Sequence, residues 1–136
     1  MAGIEDDLAD FLSTGGISTT MFKDFLPERP DEALQILRTG GYPPVHRMSA
    51  TAGNPVEERP TVQILRRSQS VQRALAEMNV IWRMLDGAGD VTINGTRYFW
   101  VEAMQSPFPF PRDETNRARI VCNFMACKAV TTATST

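Results

Sequence analysis

The segment from Val71 to Leu85 carries the clearest helical pattern in the sequence, and it constrains the fold more than any other feature. Ser68 or Ser70 can cap its start, and Gly87 can end it. An amphipathic helix must bury its apolar stripe against another element, so we expect this one to pack on a sheet. The residues of the stripe recur at i, i+4, i+7, i+11 and i+14: Val71, Leu75, Met78, Trp82 and Leu85.

Strand-like segments lie on both sides of that helix. Residues 33–38 and 61–67 precede it, and both contain branched apolar residues. Residues 91–93, 96–101 and about 118–130 follow it. Because strands succeed one another on either side of one helix, the order predicts an α+β fold. We expect a mainly antiparallel sheet of about four to five strands with the helices on one face.

The dipeptide Asn94-Gly95 separates two of these strand-like segments, 91–93 and 96–101. It is the strongest short signal for a β-hairpin, because both residues of such a tight turn need a positive φ. The sequence therefore predicts a two-residue turn that joins adjacent antiparallel strands.

A second helix is predicted near the N-terminus. Acidic residues fill its first turn, where they offset the positive end of the helix dipole, and Gly15-Gly16 ends it. A helix of about ten residues is marginal alone, so we expect it to dock on the rest of the domain. Its apolar residues recur at helical spacing: Ile4, Leu8, Phe11 and Leu12.

Residues 41–60 show no apolar periodicity and contain four prolines and a glycine that interrupt regular structure. We predict a long loop there, and a long loop in a compact domain is usually functional or disordered. The length of 136 residues suits one domain and is too short for two. We therefore treat residues 1–136 as a single domain, with a tail from about residue 129 that is mobile or ordered by a partner.

The net charge of −2 at pH 7 conceals an asymmetry. Residues 1–32 contain eight carboxylates and two cations, which leaves −6 there and +4 on the remainder. The near-neutral total gives no indication of bulk nucleic-acid affinity. No apolar run approaches the roughly 18 residues that cross a bilayer, and the acidic start does not resemble a signal peptide. We expect a chain that is made and kept in a cytoplasm, with no membrane partner.

The sequence is poor in catalytic groups. His46 is the only histidine, and a lone imidazole without an orienting partner is more often a hydrogen-bonded loop residue than a base. No glycine-rich phosphate loop, dinucleotide fingerprint or calcium loop is present. Cys122 and Cys127 lie five residues apart in one predicted strand, so they face opposite sides and are expected to be buried thiols. We predict a non-enzyme with no catalytic residue, cofactor or metal.

Two phenylalanines alternate with three prolines in residues 107–111. Proline stiffens this segment and removes hydrogen-bond donors, so a compact domain can cover it only in part. Phe108 and Phe110 either plug the local core or anchor a partner. The residues leave both alternatives open.

Four arginines lie in or beside predicted strands: Arg66, Arg67, Arg117 and Arg119. Such charges are ordinarily solvated, but a repeating subunit can pair them with a neighbour's acids. The acidic segment 1–32 is one candidate for that pairing. The complete set of residues that we predict at a subunit or partner interface is Phe108, Phe110, Arg112, Arg66, Arg67, Tyr42 and His46.

Short motifs follow one another in a characteristic order between about Leu26 and Phe124. They are Pro30-Asp31-Glu32-Ala33, Gly40-Gly41-Tyr42-Pro43, Arg59-Pro60-Thr61-Val62-Gln63, Asn94-Gly95-Thr96-Arg97-Tyr98, Gln105-Ser106-Pro107-Phe108, Arg112-Asp113-Glu114 and Val121-Cys122-Asn123-Phe124. In this order and spacing they resemble the small bacteriophage minor capsid proteins grouped with the tail terminators of long-tailed phages. Residues 1–25 and 126–136 do not match the pattern.

The resemblance implies a structural virion protein with a twisted sheet packed against two helices, which agrees with the element order. It implies a ring, usually a homohexamer, at the head-proximal end of the tail tube, where it stops tube polymerisation and joins the tail to the head connector. The implied partners are further copies of the chain, the major tail tube protein and the connector or stopper protein.

The resemblance also implies that viral DNA passes through the lumen without sequence-specific contact, and that the virion is assembled in the cytoplasm of a bacterial host. Two alternatives stay open. One is a head-completion or other neck protein, which shares the size and ring habit, and the other is a monomeric binding module of phage origin.

Overall fold

The structure, a computed structural model, describes residues 3–45 and 57–130. Over these residues the chain forms two helices and seven strands. In chain order they are α1 (Ile4–Thr14), β1 (Met21–Phe22), β2 (Ala33–Val45), β3 (Glu57–Ser68), α2 (Val71–Leu85), β4 (Ala88–Ile93), β5 (Thr96–Ala103), β6 (Phe108–Phe110) and β7 (Ala118–Ala129).

The strands form one sheet in the order β1-β2-β3-β7-β5-β4, and β6 pairs with β7 beyond the end of β5. All pairs are antiparallel except β1 with β2. The predicted α+β class is confirmed, but the sheet has more strands than the four to five expected. The additional strands are the short β1 and β6. β6 tolerates its central Pro109 because an edge position needs no second row of donors.

The prediction of a long loop over residues 41–60 is wrong at both of its ends. β2 continues to Val45 and β3 begins at Glu57, with Gly41 opposite Pro60. A Cβ on Gly41 would lie 2.8 Å from the backbone oxygen of Arg59, so only glycine allows the strands to pair at this distance. Register shifts interrupt the ladder and accommodate the prolines. The rest of the predicted loop lies outside the described residues.

Both helices pack on the same face of the sheet, which we call the inner face. α1 contacts β2, β3 and β4. Since β2 and β4 lie toward opposite ends of the sheet, the sheet must curl around α1. The apolar residues Ile4, Leu8 and Leu12 of α1 are fully buried in the main core, as predicted.

The predicted stripe of α2 is displaced from the face that is buried. Val71 and Leu75 each keep 42% of their surface exposed, and Trp82 is only partly buried. The apolar arc of α2 is wide enough to contain two stripes that share Met78 and Leu85. Glu77 of α2 pairs with Arg66 of β3, and the helix presents a different set of residues to the sheet. The buried set is Ala74, Met78, Ile81 and Leu85.

The predicted hairpin turn is confirmed. Asn94 and Gly95 have φ values of 50° and 82°, and Ile93 pairs with Thr96 across the turn. The side-chain amide of Asn94 donates to the carboxylates of Asp7 and Asp10 at 3.0 and 2.8 Å. The turn therefore also docks α1 on the sheet.

Cys122 and Cys127 are free, buried and on opposite faces of β7, as predicted. Cys122 lies in the main core of the inner face, whereas the thiol of Cys127 donates to Glu57 on the other side. Burial is the main cause that raises the pKa of each thiol to about 11. Both side chains are therefore neutral near pH 7.

Candidate functional site

The face of the sheet opposite the helices, which we call the outer face, carries most of the predicted interface residues. Phe108 lies opposite Val121 and Phe110 opposite Arg119 in the β6–β7 ladder. Because side chains alternate along a strand, these residues face away from Ile120, which belongs to the inner core. Both phenylalanines are half-buried. Neither belongs to the main core of the described residues or packs against it.

A groove of about 970 Å³ runs across the outer face. We call it the outer groove. Its floor is formed by Leu37 of β2 with Leu65 and Arg67 of β3. One wall is the segment 24–28, and the other is formed by residues 112–117 of the turn before β7 together with Arg119 of β7. The two walls and the floor come from four distant parts of the sequence, so only the folded sheet assembles the groove.

Phe108 and Phe110 lie beside the outer groove. Their ring centroids are 5.7 Å apart at an interplanar angle of 58°. The guanidinium carbon of Arg119, which lines the groove, lies 5.8 Å from the centroid of Phe110. The Nε of Arg119 also donates to the backbone oxygen of Pro111 at 2.8 Å. The Phe110–Arg119 contact therefore joins the aromatic strand β6 to the groove.

Arg117 is a buried anchor of the groove wall. Its guanidinium forms ion pairs with Asp113, Asp31 and Glu28 at 2.8, 3.2 and 3.4 Å. Desolvation raises the pKa of Asp113, but hydrogen bonds from Arg117 and Thr115 outweigh it and hold this pKa below its usual range. The network ties residues 28–31 to the turn before β7 and holds the two walls in place.

Arg66 is buried on the inner face. Its Nε donates to Glu77 of α2 at 2.6 Å, and its Nη1 lies 3.1 Å from Glu32. Desolvation opposes the ionised form of Glu32, but hydrogen bonds from Ser68, the backbone of Gln69 and two arginines lower its pKa to about 2. The expectation of solvated arginines on the strands is therefore wrong for Arg66 and for Arg117, because carboxylates of the same chain neutralise both.

The acidic excess of residues 1–32 is compensated in part within the subunit. Glu28, Asp31 and Glu32 supply the ion pairs of Arg117 and Arg66. Asp6 pairs with Lys23 at 2.8 Å, and this hydrogen bond lowers the pKa of Asp6. Four of the eight carboxylates of this segment are thus engaged in ion pairs within the subunit.

Arg67 differs from the other two buried arginines. It lines the outer groove and is 4% exposed. Its only hydrogen bond to the described residues runs from Nη2 to the backbone oxygen of Pro30, and its Nε has no partner among them. Burial is the main cause that lowers the pKa of Arg67; the charge of Arg117 adds to it, and the charges of Asp113, Glu28 and Asp31 oppose it. Arg67 is therefore a buried cation that forms no ion pair with the described carboxylates.

The remaining predicted interface residues are dispersed. Arg112 is exposed at the groove wall, where its Nη1 donates to the backbone oxygen of Asn116 at 2.9 Å. Tyr42 is 46% exposed on the β2–β3 hairpin, 6.0 Å from the guanidinium carbon of Arg59. His46 lies outside the described residues. The structure thus brings Arg67 and Arg112 to the groove, with Phe110 beside it, and leaves Tyr42 elsewhere.

Sequence reasoning missed Phe25, which is 76% exposed on the wall of the outer groove. It also missed the turn that Asp113 builds. The Oδ1 of Asp113 accepts from the backbone amides of Thr115 and Arg117 at 3.1 and 2.8 Å. An aspartate followed by threonine and asparagine is a recognisable turn signal, so this element could have been found. No local pattern marks Phe25.

Comparison with known proteins identifies the family. A family model described as "Bacteriophage tail terminator protein" matches residues 11–127. The chain belongs to this tail terminator family. The match includes all of the stretch from 26 to 124 that carries the resemblance, and it extends into α1. Membership makes the chain a structural protein of the virion tail, and it places its working location in the virion.

Solved structures are similar to the chain in fold. Nine chains match, among them one from the structure titled "Virion of native gene transfer agent (GTA) particle". That chain is 15% identical with a TM-score of 0.56, and the alignment covers 90% of this chain and 84% of that one. No curated protein matches the sequence significantly.

Two further searches cover the described residues only. Residues 3–45 and 57–130 contain no group of histidine, cysteine, aspartate or glutamate side chains arranged to hold a metal ion. Within the same ranges, neither α1 nor α2 is long and apolar enough to cross a membrane.

Proposed function

We propose that this chain is the tail terminator itself. It forms a homo-oligomeric ring, a hexamer, at the head-proximal end of the tail tube. There it stops tube polymerisation and joins the tail to the head connector or stopper protein. The observation that carries this proposal is the match of the tail terminator family over residues 11–127. The role is structural rather than enzymatic.

The subunit offers two unlike surfaces, as a ring with head-to-tail contacts requires. One is the outer face with the outer groove and the aromatic strand β6. The other is the α2 flank, which we define as Val71, Leu75 and Trp82, an apolar strip left partly open on the helix side of the sheet. When the two unlike surfaces of neighbouring subunits meet, the ring can close, and no self-complementary patch is left exposed.

We place the subunit contacts at the outer face. Phe108 and Phe110 supply aromatic anchors on a stiff strand, and Arg112 supplies an exposed guanidinium, a combination that concentrates binding energy. Tyr42, in β2, and His46, which follows the end of β2 in the sequence, complete the proposed set. Arg66 contributes indirectly, because it is neutralised inside the subunit and holds β3 against α2.

The two ends of the ring have different tasks. One end copies the docking surface of the tube, and the other refuses further tube subunits and receives the connector. DNA passes through the lumen without sequence-specific contact, and the near-neutral charge of the chain suits this loose passage. Assembly takes place in the host cytoplasm.

The decisive experiment is electron microscopy of particles that lack this chain. Overlong tails support the terminator, because tube growth then has no stop. Tailless heads that leak DNA support a head-completion protein and contradict the proposal. Sedimentation of the purified chain, alone and with tube protein, tests the ring, and a chain that stays monomeric under both conditions contradicts it.

A further inference from the structure

We infer that the outer groove is a binding site for one carboxylate, which an extended apolar segment of a neighbouring virion protein presents to the buried guanidinium of Arg67. That the donor is a virion protein rests on the proposed function. The carboxylate site itself rests on the geometry of this subunit.

Arg67 carries the inference because it is buried but forms no ion pair within the described residues. Arg66 and Arg117 are buried to a similar extent, and each has carboxylates of the same chain within 3.4 Å. The charges of Glu28, Asp31 and Asp113 act on Arg67, but the ion pairs of all three carboxylates are with Arg117. Among the described residues, Arg67 has a single neutral acceptor, the backbone oxygen of Pro30.

A buried cation that keeps donors without acceptors is costly, and a carboxylate is the ligand that removes this cost best. A guanidinium offers its donors in a planar fork that matches the two oxygens of a carboxylate. Because the water that would compete for these bonds is largely excluded from Arg67, the pair would be stronger than a surface ion pair.

The other lining residues of the groove indicate which kind of ligand would carry that carboxylate. Leu37 and Leu65 form an apolar floor, and Phe25 stands almost free on one wall. The volume of about 970 Å³ accommodates several residues of an extended peptide. The ligand is therefore a short extended segment with one aspartate or glutamate between apolar residues.

The balance of charges on the walls argues against a polyanion. Four carboxylates line the groove, Asp24, Glu28, Asp113 and Glu114, and they offset its four arginines, so no excess of positive charge is left for a chain of phosphates. A nucleic-acid backbone would meet these carboxylates at one phosphate after another. A peptide with one acidic side chain brings a single negative charge to Arg67.

The test uses the full chain and two peptides that differ in one group, Ac-Leu-Asp-Leu-NH2 and Ac-Leu-Asn-Leu-NH2. The NMR signal of the Arg67 Nε–H is followed during titration. We expect a saturable shift with the aspartate peptide and at least about tenfold weaker binding of the asparagine peptide, since only the former makes charge-assisted hydrogen bonds. Equal affinities, or no shift at Arg67, would overturn the inference. This comparison needs no variant.

Variants then test the residue. Arg67→Gln should abolish binding of the aspartate peptide, whereas Arg97→Gln should not, because Arg97 is an exposed arginine paired with Asp90 at the β4–β5 end of the sheet. Binding that survives in a folded Arg67→Gln variant contradicts the inference. If Arg67→Gln does not fold, Arg67→Lys replaces it, and it should weaken binding because lysine lacks the fork.

Competition separates a peptide site from a nucleic-acid site. A short duplex DNA should not displace the aspartate peptide or shift the Arg67 signal, and displacement would assign the groove to DNA and overturn the inference. The outcome is independent of the proposed function. Overlong tails without the chain, combined with no peptide binding, would leave the terminator role intact and remove only the carboxylate site.

Discussion

Arg66 and Arg67 are consecutive residues of β3, and both guanidinium groups are buried, but on opposite faces of the sheet. The strand alternation sends Arg66 to the helices, where Glu77 and Glu32 neutralise it, and sends Arg67 to the outer groove, where no ion pair with the described carboxylates forms. Two adjacent arginines thus have different environments. One pairs with carboxylates of its own subunit, and the other is the residue that we propose meets a partner.

The buried face of α2 is tested by alanine substitution. Met78→Ala removes a fully buried side chain and should lower the free energy of unfolding by about 2–5 kcal/mol, because a cavity remains. Leu75→Ala serves as the matched control, and as an exposed position it should change stability by no more than about 0.5 kcal/mol. Urea unfolding measures both. A larger loss for Leu75→Ala than for Met78→Ala would mean that the helix is rotated.

The hairpin turn is tested at Gly95. Its φ of 82° is a conformation that glycine adopts readily and residues with a Cβ rarely adopt. Gly95→Val should therefore destabilise the protein by about 1–2 kcal/mol. This loss comes from backbone strain alone, since no atom lies near the added Cβ. Gly89→Ala is the control, because a Cβ there meets its nearest atom at an ordinary 3.6 Å. Thermal unfolding compares the two variants. Equal melting temperatures for Gly95→Val and the parent would contradict the turn.

The docking of α1 depends on a buried hydrogen bond from the hydroxyl of Tyr98 to Asp7. Tyr98→Phe leaves an oxygen of this buried carboxylate without its donor and should cost about 1–3 kcal/mol. Tyr42→Phe, at an exposed tyrosine, is the matched control and should be neutral. Chemical unfolding of both variants gives the difference. A neutral Tyr98→Phe would show that α1 is held by apolar contacts only.

The ion pairs of Glu32 predict acid sensitivity. The pKa of Glu32 falls from the ordinary 4.5 to about 2 in the folded protein. The ionised carboxylate therefore stabilises the fold fully above pH 4.5, and this contribution is lost as the pH falls from 4.5 toward 2. Urea unfolding across this range should show Glu32→Gln less stable than the parent at pH 7 and equal to it near pH 2. A constant difference at all pH values would exclude this role.

The ring contact is tested by the double variant Phe110→Ser with Arg112→Ser. Both residues lie outside the main core, so we expect a folded subunit that fails to form rings or to cap tubes. Arg97→Ser with Phe99→Ser is the matched control, because it also removes one arginine and one phenylalanine outside the main core, at the β4–β5 end of the sheet. Melting temperature, sedimentation and rescue of terminator-deficient particles are compared. Normal rings and tails would remove this segment from the interface, and an unfolded variant would support a local core role.

The sequence by itself determined the elements whose cause is local. The Asn94-Gly95 turn needs two positive φ values, and the first helix has one narrow apolar stripe. The opposite orientations of Cys122 and Cys127 follow from the alternation of side chains along a strand. The order of strands around α2 was enough to predict the α+β class. The spaced motifs between residues 26 and 124 were enough for the family, because the family model matches residues 11–127.

The tertiary structure alone decided features that depend on residues distant in the chain. The face that α2 buries depends on its packing against β3 and β7, where Glu77 pairs with Arg66, and the close pairing of β2 with β3 depends on the absence of a side chain at Gly41. Strand β6 exists because β7 offers it a ladder. Whether an arginine is solvated, neutralised or left with open donors depends on which carboxylates the fold brings to it. The distance between an arginine and a carboxylate far away in the chain cannot be read from the pattern of charges along the sequence.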